Sequence, residues 1–157
     1  MGRMSTARLQ APGPSTSDGP PQRLHDEITV LAEEQGVDVF VFAIDGRLLD
    51  TSPGCPATIE QVAATSSGVV NLSRGYASRG DRGGVERLVT RYEKGVLILL
   101  PVNEAVWAGC LTDRNRVKNT AHTLALFTER AAPLAPREVG LNLPAVALSA
   151  TGNEVRR

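Results

Sequence analysis

Two adjacent serines, Ser66 and Ser67, in the stretch AATSSGVVNLSRG are the first candidates for chemistry in this sequence. Acyl transfer through either hydroxyl needs a base within hydrogen-bond reach and a turn that exposes the oxygen. A nucleophile elbow reads G-x-S-x-G between a strand and a helix. Here the serines lie inside a helical run with no preceding glycine, and the available bases are His25 and His122, in two other helical segments. Solvated or packed histidines are the expectation for both. Cys55 and Cys110 make neither a disulfide framework nor a CxxC site, and read as isolated thiols in a reducing cytosol. No His, Cys or paired carboxylates share metal-ligand spacing. The expectation is a non-enzymatic chain with no catalytic residue, no cofactor and no metal.

Charge gives one local feature. Arg74, Arg79, Arg82, Arg87 and Arg91 cluster, partly offset by Asp81 and Glu86. Only Tyr76 and Tyr92 interleave them, too few stacking platforms for a nucleic-acid groove, so a solvated charged edge is expected. An arginine finger for a GTPase is a further role such a set can supply, although nothing in the sequence singles out one residue. The glycines of RGDRGG precede a strand and lack the Lys and Ser or Thr of a phosphate cradle, so they read as a mobile connector. Formal net charge is zero, with 17 basic and 17 acidic residues in 157, so no global field steers the chain to nucleic acid or anionic lipid. No apolar run approaches the ~20 residues that span a bilayer, so a cytoplasmic protein without direct membrane insertion is expected.

These residues must be carried by a regular series of elements. Residues 1–20 are Pro-, Gly-, Ser- and Thr-rich and predict a disordered tail. Residues 133–157, broken by Pro133, Pro136 and Pro144, predict a mostly disordered one, with Leu141 to Leu148 an apolar patch able to dock. Between them, Leu24, Ile28, Leu31 and Ala32 have helical spacing before Gly36, predicting a helix over Pro21–Gln35. VDVFVFAI (Val37 to Ile44) is apolar at nearly every position, as in a strand covered on both faces. Asp45-Gly46 predicts a two-residue hairpin loop, placing Ile44 opposite Arg47, Phe42 opposite Leu49 and Phe40 opposite Thr51.

A second helix is predicted from Thr58, with Thr58 and Gln61 at capping-box spacing, to Gly75, with Val62, Val69 and Val70 as its apolar stripe. Three strands follow, Val85–Tyr92, Val96–Val102 and Ala105–Leu111, joined by hairpin-short turns. A last helix over Arg114–Ala131, capped at Thr112 or Asp113, carries Val117, Ala121, Leu124, Phe127 and Ala131 on one face. Five antiparallel strands with a doubly buried first strand require helices on both faces, a three-layer α/β/α arrangement.

The run from Val37 to Ala131 resembles the Roadblock/LC7 domain, particularly its bacterial branch. The resemblance rests on VFVFAIDGRLLDTSPG, on EQVAATSSGVVNLSRG where the family has a small-residue helix, and on RLVTRYEKGVLILLPVNEAVWAGCL against its meander. It implies a domain over 21–132 with a profilin-like fold, sheet order 2-1-5-4-3, a homodimer, and regulation or scaffolding of small Ras-like GTPases, in bacteria often beside a sensor-kinase-like protein. The Arg-rich third strand is more basic than is typical, and Cys55 replaces a polar or small residue. Two functions stay open: a dimeric module that modulates a GTPase, or a structural adaptor that leaves turnover unchanged.

The serines then read as packing residues. Ala63, Ser67, Val70 and Arg74 form one helical line, and Val62, Ser66, Val69 and Ser73 another. The dimer and partner interface is assigned to Ala63, Ser67, Val70, Asn71 and Arg74 of the second helix with Val85, Arg87 and Val89 of the edge strand. On that reading Ser67→Arg breaks the dimer and leaves the monomer folded.

Overall fold

The computed structural model describes residues 19–138; residues 1–18 of the predicted tail 1–20 and the patch Leu141 to Leu148 lie outside the described residues, and Gly19 and Pro20 instead cap and begin the first helix. The chain order is α1 (Pro20–Gln35), β1 (Asp38–Ala43), β2 (Leu48–Thr51), α2 (Ile59–Arg79), β3 (Leu88–Tyr92), β4 (Gly95–Pro101), β5 (Val106–Thr112), a 3-10 turn at Arg114–Arg116, and α3 (Val117–Ala131). The strands form one antiparallel sheet of order β2-β1-β5-β4-β3, as the resemblance implies. Strand β1 lies inside the sheet, between β2 and β5, and its alternating side chains serve two cores. Val39 and Val41 pack with Leu24, Ile28 and Leu31 of α1 and Leu124 and Phe127 of α3. Phe40 and Phe42 pack on the other face with Ile59, Ala63 and Val70 of α2 and with Trp107. That double burial is why VDVFVFAI carries no polar alternation.

Helix ends follow the backbone. Gly36 closes α1 in the left-handed region at φ 61, and its N–H donates to the Ala32 carbonyl. Thr58 makes no side-chain cap, because a turn has already brought it to helical φ −79, ψ 0. The Ile59 N–H donates to the Pro56 carbonyl, and the capping box predicted with Gln61 does not form. Helix α2 also runs past Gly75, where its end was expected, to Arg79. Burial of Ala77 offsets the roughly 1 kcal/mol that an interior glycine costs. The end falls instead at Asp81, at φ 50, where the Arg82 N–H donates to the Ala77 carbonyl and the Asp81 N–H to that of Ser78.

The first hairpin keeps Phe40 opposite Thr51 but places Phe42 opposite Leu48 rather than Leu49. Its loop has three residues, Ile44-Asp45-Gly46, with Gly46 at φ 98, closed by hydrogen bonds between Ala43 and Arg47 and between Gly46 and Ala43. Ile44 is unavailable to pair with Arg47. Its N–H donates to the Ala105 carbonyl, and its own carbonyl accepts from Asn71 Nδ2 at 3.0 Å. Asp45 Oδ1 accepts the Arg47 N–H, holding the wider turn.

On the far face, Arg130 pairs with Glu27, and the start of α3 is tied to the end of α1 through Arg116 and Asn119 on Gln35. Leu134 and Ala135, inside the predicted C-terminal tail, lie on this core. Cys110 is fully buried in it, and burial, followed by the nearby Asp38 carboxylate, pushes its thiol up to about 12. The folded state therefore holds this proton more tightly than the unfolded chain does. The associated stability is complete below the ordinary thiol value of 9.0 and is lost as pH rises from there toward about 12. In native protein at pH 8 one thiol, the half-buried Cys55, is expected to react with a thiol reagent, and Cys110 only after denaturation. Two fast-reacting thiols in native protein would contradict this placement.

Candidate functional site

Helix α2 has 21 residues and two apolar faces. Its inner face is small because the sheet beneath is large: Phe40, Phe42 and Trp107 fill the interlayer space, and Ala63, Ser66, Ser67, Val70 and Ala77 fit over them. Ser67 donates to the Ala64 carbonyl at 2.9 Å, and only 6% of it is exposed. A Cβ on Gly46 would stand 3.2 Å from its hydroxyl oxygen, so the hairpin turn closes over it. The expectation that the Ser67 line meets a second helix is therefore corrected. Ala63, Ser67 and Val70 face the chain's own sheet. Likewise Val69, expected in the core stripe with the half-buried Val62, is exposed, while Val70 is buried.

The outer face was not legible as a site. Val69, Leu72 and Tyr76 are exposed at i, i+3 and i+7 spacing, with Leu72 77% and Tyr76 74% accessible. Gly68 and Gly75 flank Leu72, and an added Cβ at either meets nothing. The signal in the sequence was this second apolar stripe, offset from the first. It adjoins the sheet edge: a groove of about 780 Å³ between α2 and β3 is lined by Leu72, Tyr76, Val85, Arg87 and Leu88. Among the described residues strand β3 pairs with β4 alone and leaves its other edge open, with Val89 exposed on it. This strand begins at Leu88, so Val85 and Arg87 belong to its approach and not to the strand.

Arginine placement also departs from the expected mobile connector. Arg74 and Arg79 are helical, Arg82 follows the helix end, and Arg91 is on β3. Arg74 is held: its guanidinium carbon lies 5.9 Å from the centroid of the Trp107 ring and its Nη2 donates to the Glu104 carbonyl at 3.0 Å. Asn71 bonds the neighbouring β1–β2 turn through the Ile44 carbonyl, so one turn of α2 is pinned to two adjacent turns at the same end of the sheet.

The candidate reactive groups are separated by the sheet. Ser66 and Ser67 lie under α2, whereas His25 is on α1, bonded through Nδ1 to Asp50 of β2 at 2.9 Å, and His122 is on the exposed side of α3. Among the described residues no group of three or more His, Cys, Asp or Glu side chains is arranged to hold a metal ion, and no helix is long and apolar enough to cross a membrane.

A family model described as the Roadblock/LC7 domain matches residues 30–112. Among solved structures, the fold is similar to a Roadblock/LC7 domain from Streptomyces avermitilis, with TM-score 0.63 and 19% identity over 69% of this chain and 94% of that one. It is similar to Myxococcus xanthus MglB, with TM-score 0.66 and 13% identity over 71% and 94%. It is also similar to the gliding protein MglB of Thermus thermophilus, with TM-score 0.66 and 15% identity over 74% and 90%. No curated protein sequence matches it.

Proposed function

The chain belongs to the Roadblock/LC7 family, and from that membership we propose that it is a non-enzymatic, homodimeric regulatory module that binds a small Ras-like GTPase in a bacterial, cytoplasmic signalling complex and modulates its nucleotide state. The observation that carries the reading is the exposed stripe of Val69, Leu72 and Tyr76 running into the open edge of β3. A helix with apolar residues on both faces calls for a second partner, and a large exposed apolar patch marks an interaction surface. A two-fold axis beside β3 would let two sheets join at their edges and lay the two α2 helices side by side. In the interface proposed here Val85, Arg87 and Val89 are kept from the sequence assignment, Leu72 and Tyr76 take the place of the inward Ala63, Ser67 and Val70, and Asn71 and Arg74 support α2 from the two turns they bond.

The joined α2 helices and their flanking basic residues present Arg87 and Arg79 to a partner. They would meet acidic switch loops by orienting the encounter more than by adding affinity. Arg74 is committed to Trp107 and the Glu104 carbonyl, so its role is to hold α2 at the right height. Arg74→Ala is expected to weaken GTPase binding several-fold and to leave hydrolysis at saturating regulator nearly unchanged. A loss of about 10³-fold at saturation would instead make Arg74 an arginine finger. The deciding experiment is co-purification of the partner GTPase, followed by GTP-hydrolysis and nucleotide-exchange assays with and without this chain. Binding without any change in either rate would favour an adaptor that assembles a sensor-kinase-like complex, and absence of binding would overturn the proposal.

A further inference from the structure

The two edges of the sheet are built differently. Strand β3 is open along its outer side. Strand β2, at the opposite edge, pairs among the described residues with β1 alone, yet its outward groups are not free. The alternation of the ladder decides which groups point outward. The Ser52 N–H donates to the Val39 carbonyl at 2.8 Å, so Ser52 bonds inward and its neighbour Thr51 turns its N–H and C=O away from the sheet. Val41 opposes Asp50 and Phe42 opposes Leu48, which leaves Leu49 without a partner at a break in register. Thr51 is therefore the regular outward position that an added strand would use. That position is taken. The Thr51 N–H donates to Asp50 Oδ1 at 2.8 Å. The same carboxylate meets His25 of α1, whose Nδ1 lies 2.9 Å from Oδ1 and 3.1 Å from Oδ2. With its side chain 22% accessible, Asp50 is held between helix and strand and does not swing in solvent.

We propose that Asp50 guards the β2 edge: its carboxylate, positioned by His25, occupies the outward Thr51 N–H and bars strand addition there, so that edge-to-edge pairing of this chain is confined to β3. A strand laid against β2 would have to displace a charge-assisted hydrogen bond and then cover a carboxylate with its own backbone, and both are unfavourable. Without the carboxylate, Thr51 offers a free donor and a free acceptor, a template for pairing. The strand it would then admit is the β2 edge of a second copy, which carries the same two groups and is related by a two-fold axis. A chain with two pairing edges on opposite sides of its sheet assembles without closing, so the guard keeps the assembly finite. That consequence rests on the homodimer proposed above; the guard itself does not.

The test compares the full chain with Asp50→Ala and with the double variant Asp50→Ala, Thr51→Pro, by light scattering over a concentration series and by amide exchange. In the unmodified chain the Thr51 amide is expected to exchange at least about tenfold more slowly than a random coil, although it faces outward on an edge strand. Asp50→Ala should raise the average mass by about twofold or more at concentrations where the mass of the unmodified chain is constant. Proline is tolerated at an edge position whose N–H faces outward, and it removes the freed donor, so the double variant should return to the unmodified mass. Asp50→Ala at the unmodified mass throughout would overturn the proposal, as would random-coil exchange of the Thr51 amide in the unmodified chain. Association that proline does not reverse would also overturn it, because it would come from unfolding or from another surface. A monomeric unmodified chain would remove the homodimer alone, and Asp50→Ala should then form a dimer, so the two readings fail separately.

Discussion

Gly109→Ala is expected to destabilise the domain by about 1–3 kcal/mol, although it adds a single methyl group to a strand. Gly109 pairs with Phe40 across the β1–β5 ladder, and a Cβ at 109 would stand 2.2 to 2.7 Å from three atoms of the Phe40 ring. The ring cannot swing aside. It is fully buried, stacked on Phe42 at 5.6 Å between centroids, and covered by α2. Helix α2 would have to lift or the ring leave its rotamer, and either loosens the layer that holds Ala63 and Val70. At roughly 4 °C per kcal/mol the melting temperature should fall by about 4–12 °C. Phe40→Ala alone should cost about 3–5 kcal/mol through the cavity it leaves. The double variant should cost less than the sum, because the added methyl occupies part of the vacated space. Additive costs would show that the two residues do not share the contact, and calorimetry of the three variants decides it.

This contact marks where sequence reading stops. The doubly buried strand was legible because Val39, Phe40, Val41 and Phe42 leave no polar position, and the end of α1 because Gly36 supplies the left-handed residue. Strand order came from the resemblance and agrees with the sheet. Periodicity could not say which face of α2 is inside, because the rule that larger apolar residues are buried assumes one partner per helix. Here the sheet supplies the bulk, through Phe40, Phe42 and Trp107, so the inner line is Ala63, Ser66, Ser67 and Val70 and the larger Leu72 and Tyr76 turn out. Size complementarity across layers is invisible until it is known which strand residues face the helix. The hairpin slip has the same origin: Asn71 and Ala105, distant in sequence, claim both backbone groups of Ile44.

The same geometry reverses the expectation for Ser67 and transfers the assembly test to Leu72. Ser67→Arg should now unfold or strongly destabilise the monomer, on the order of 3 kcal/mol, since a guanidinium has no room beneath α2 beside Ala64 and Gly46 and no partner there. Leu72→Arg should do the opposite. The site is 77% exposed, Arg and Leu have similar helix propensity, and so the stability of the monomer should change by no more than about 0.5 kcal/mol. Across a two-fold, however, the substitution sets two guanidinium groups against each other and against Gly68 and Gly75, where close approach of two helices was possible. Removing a central apolar anchor of an interface costs about 2 kcal/mol or more, and each 1.4 kcal/mol is tenfold in affinity, so dimer dissociation should strengthen by roughly 30-fold or beyond. Sedimentation at micromolar concentration is expected to give a dimer for the unmodified chain and a folded monomer for Leu72→Arg. A Leu72→Arg dimer as tight as the original would remove the outer face of α2 from the interface. A unmodified chain that stays monomeric at that concentration would remove the homodimer itself.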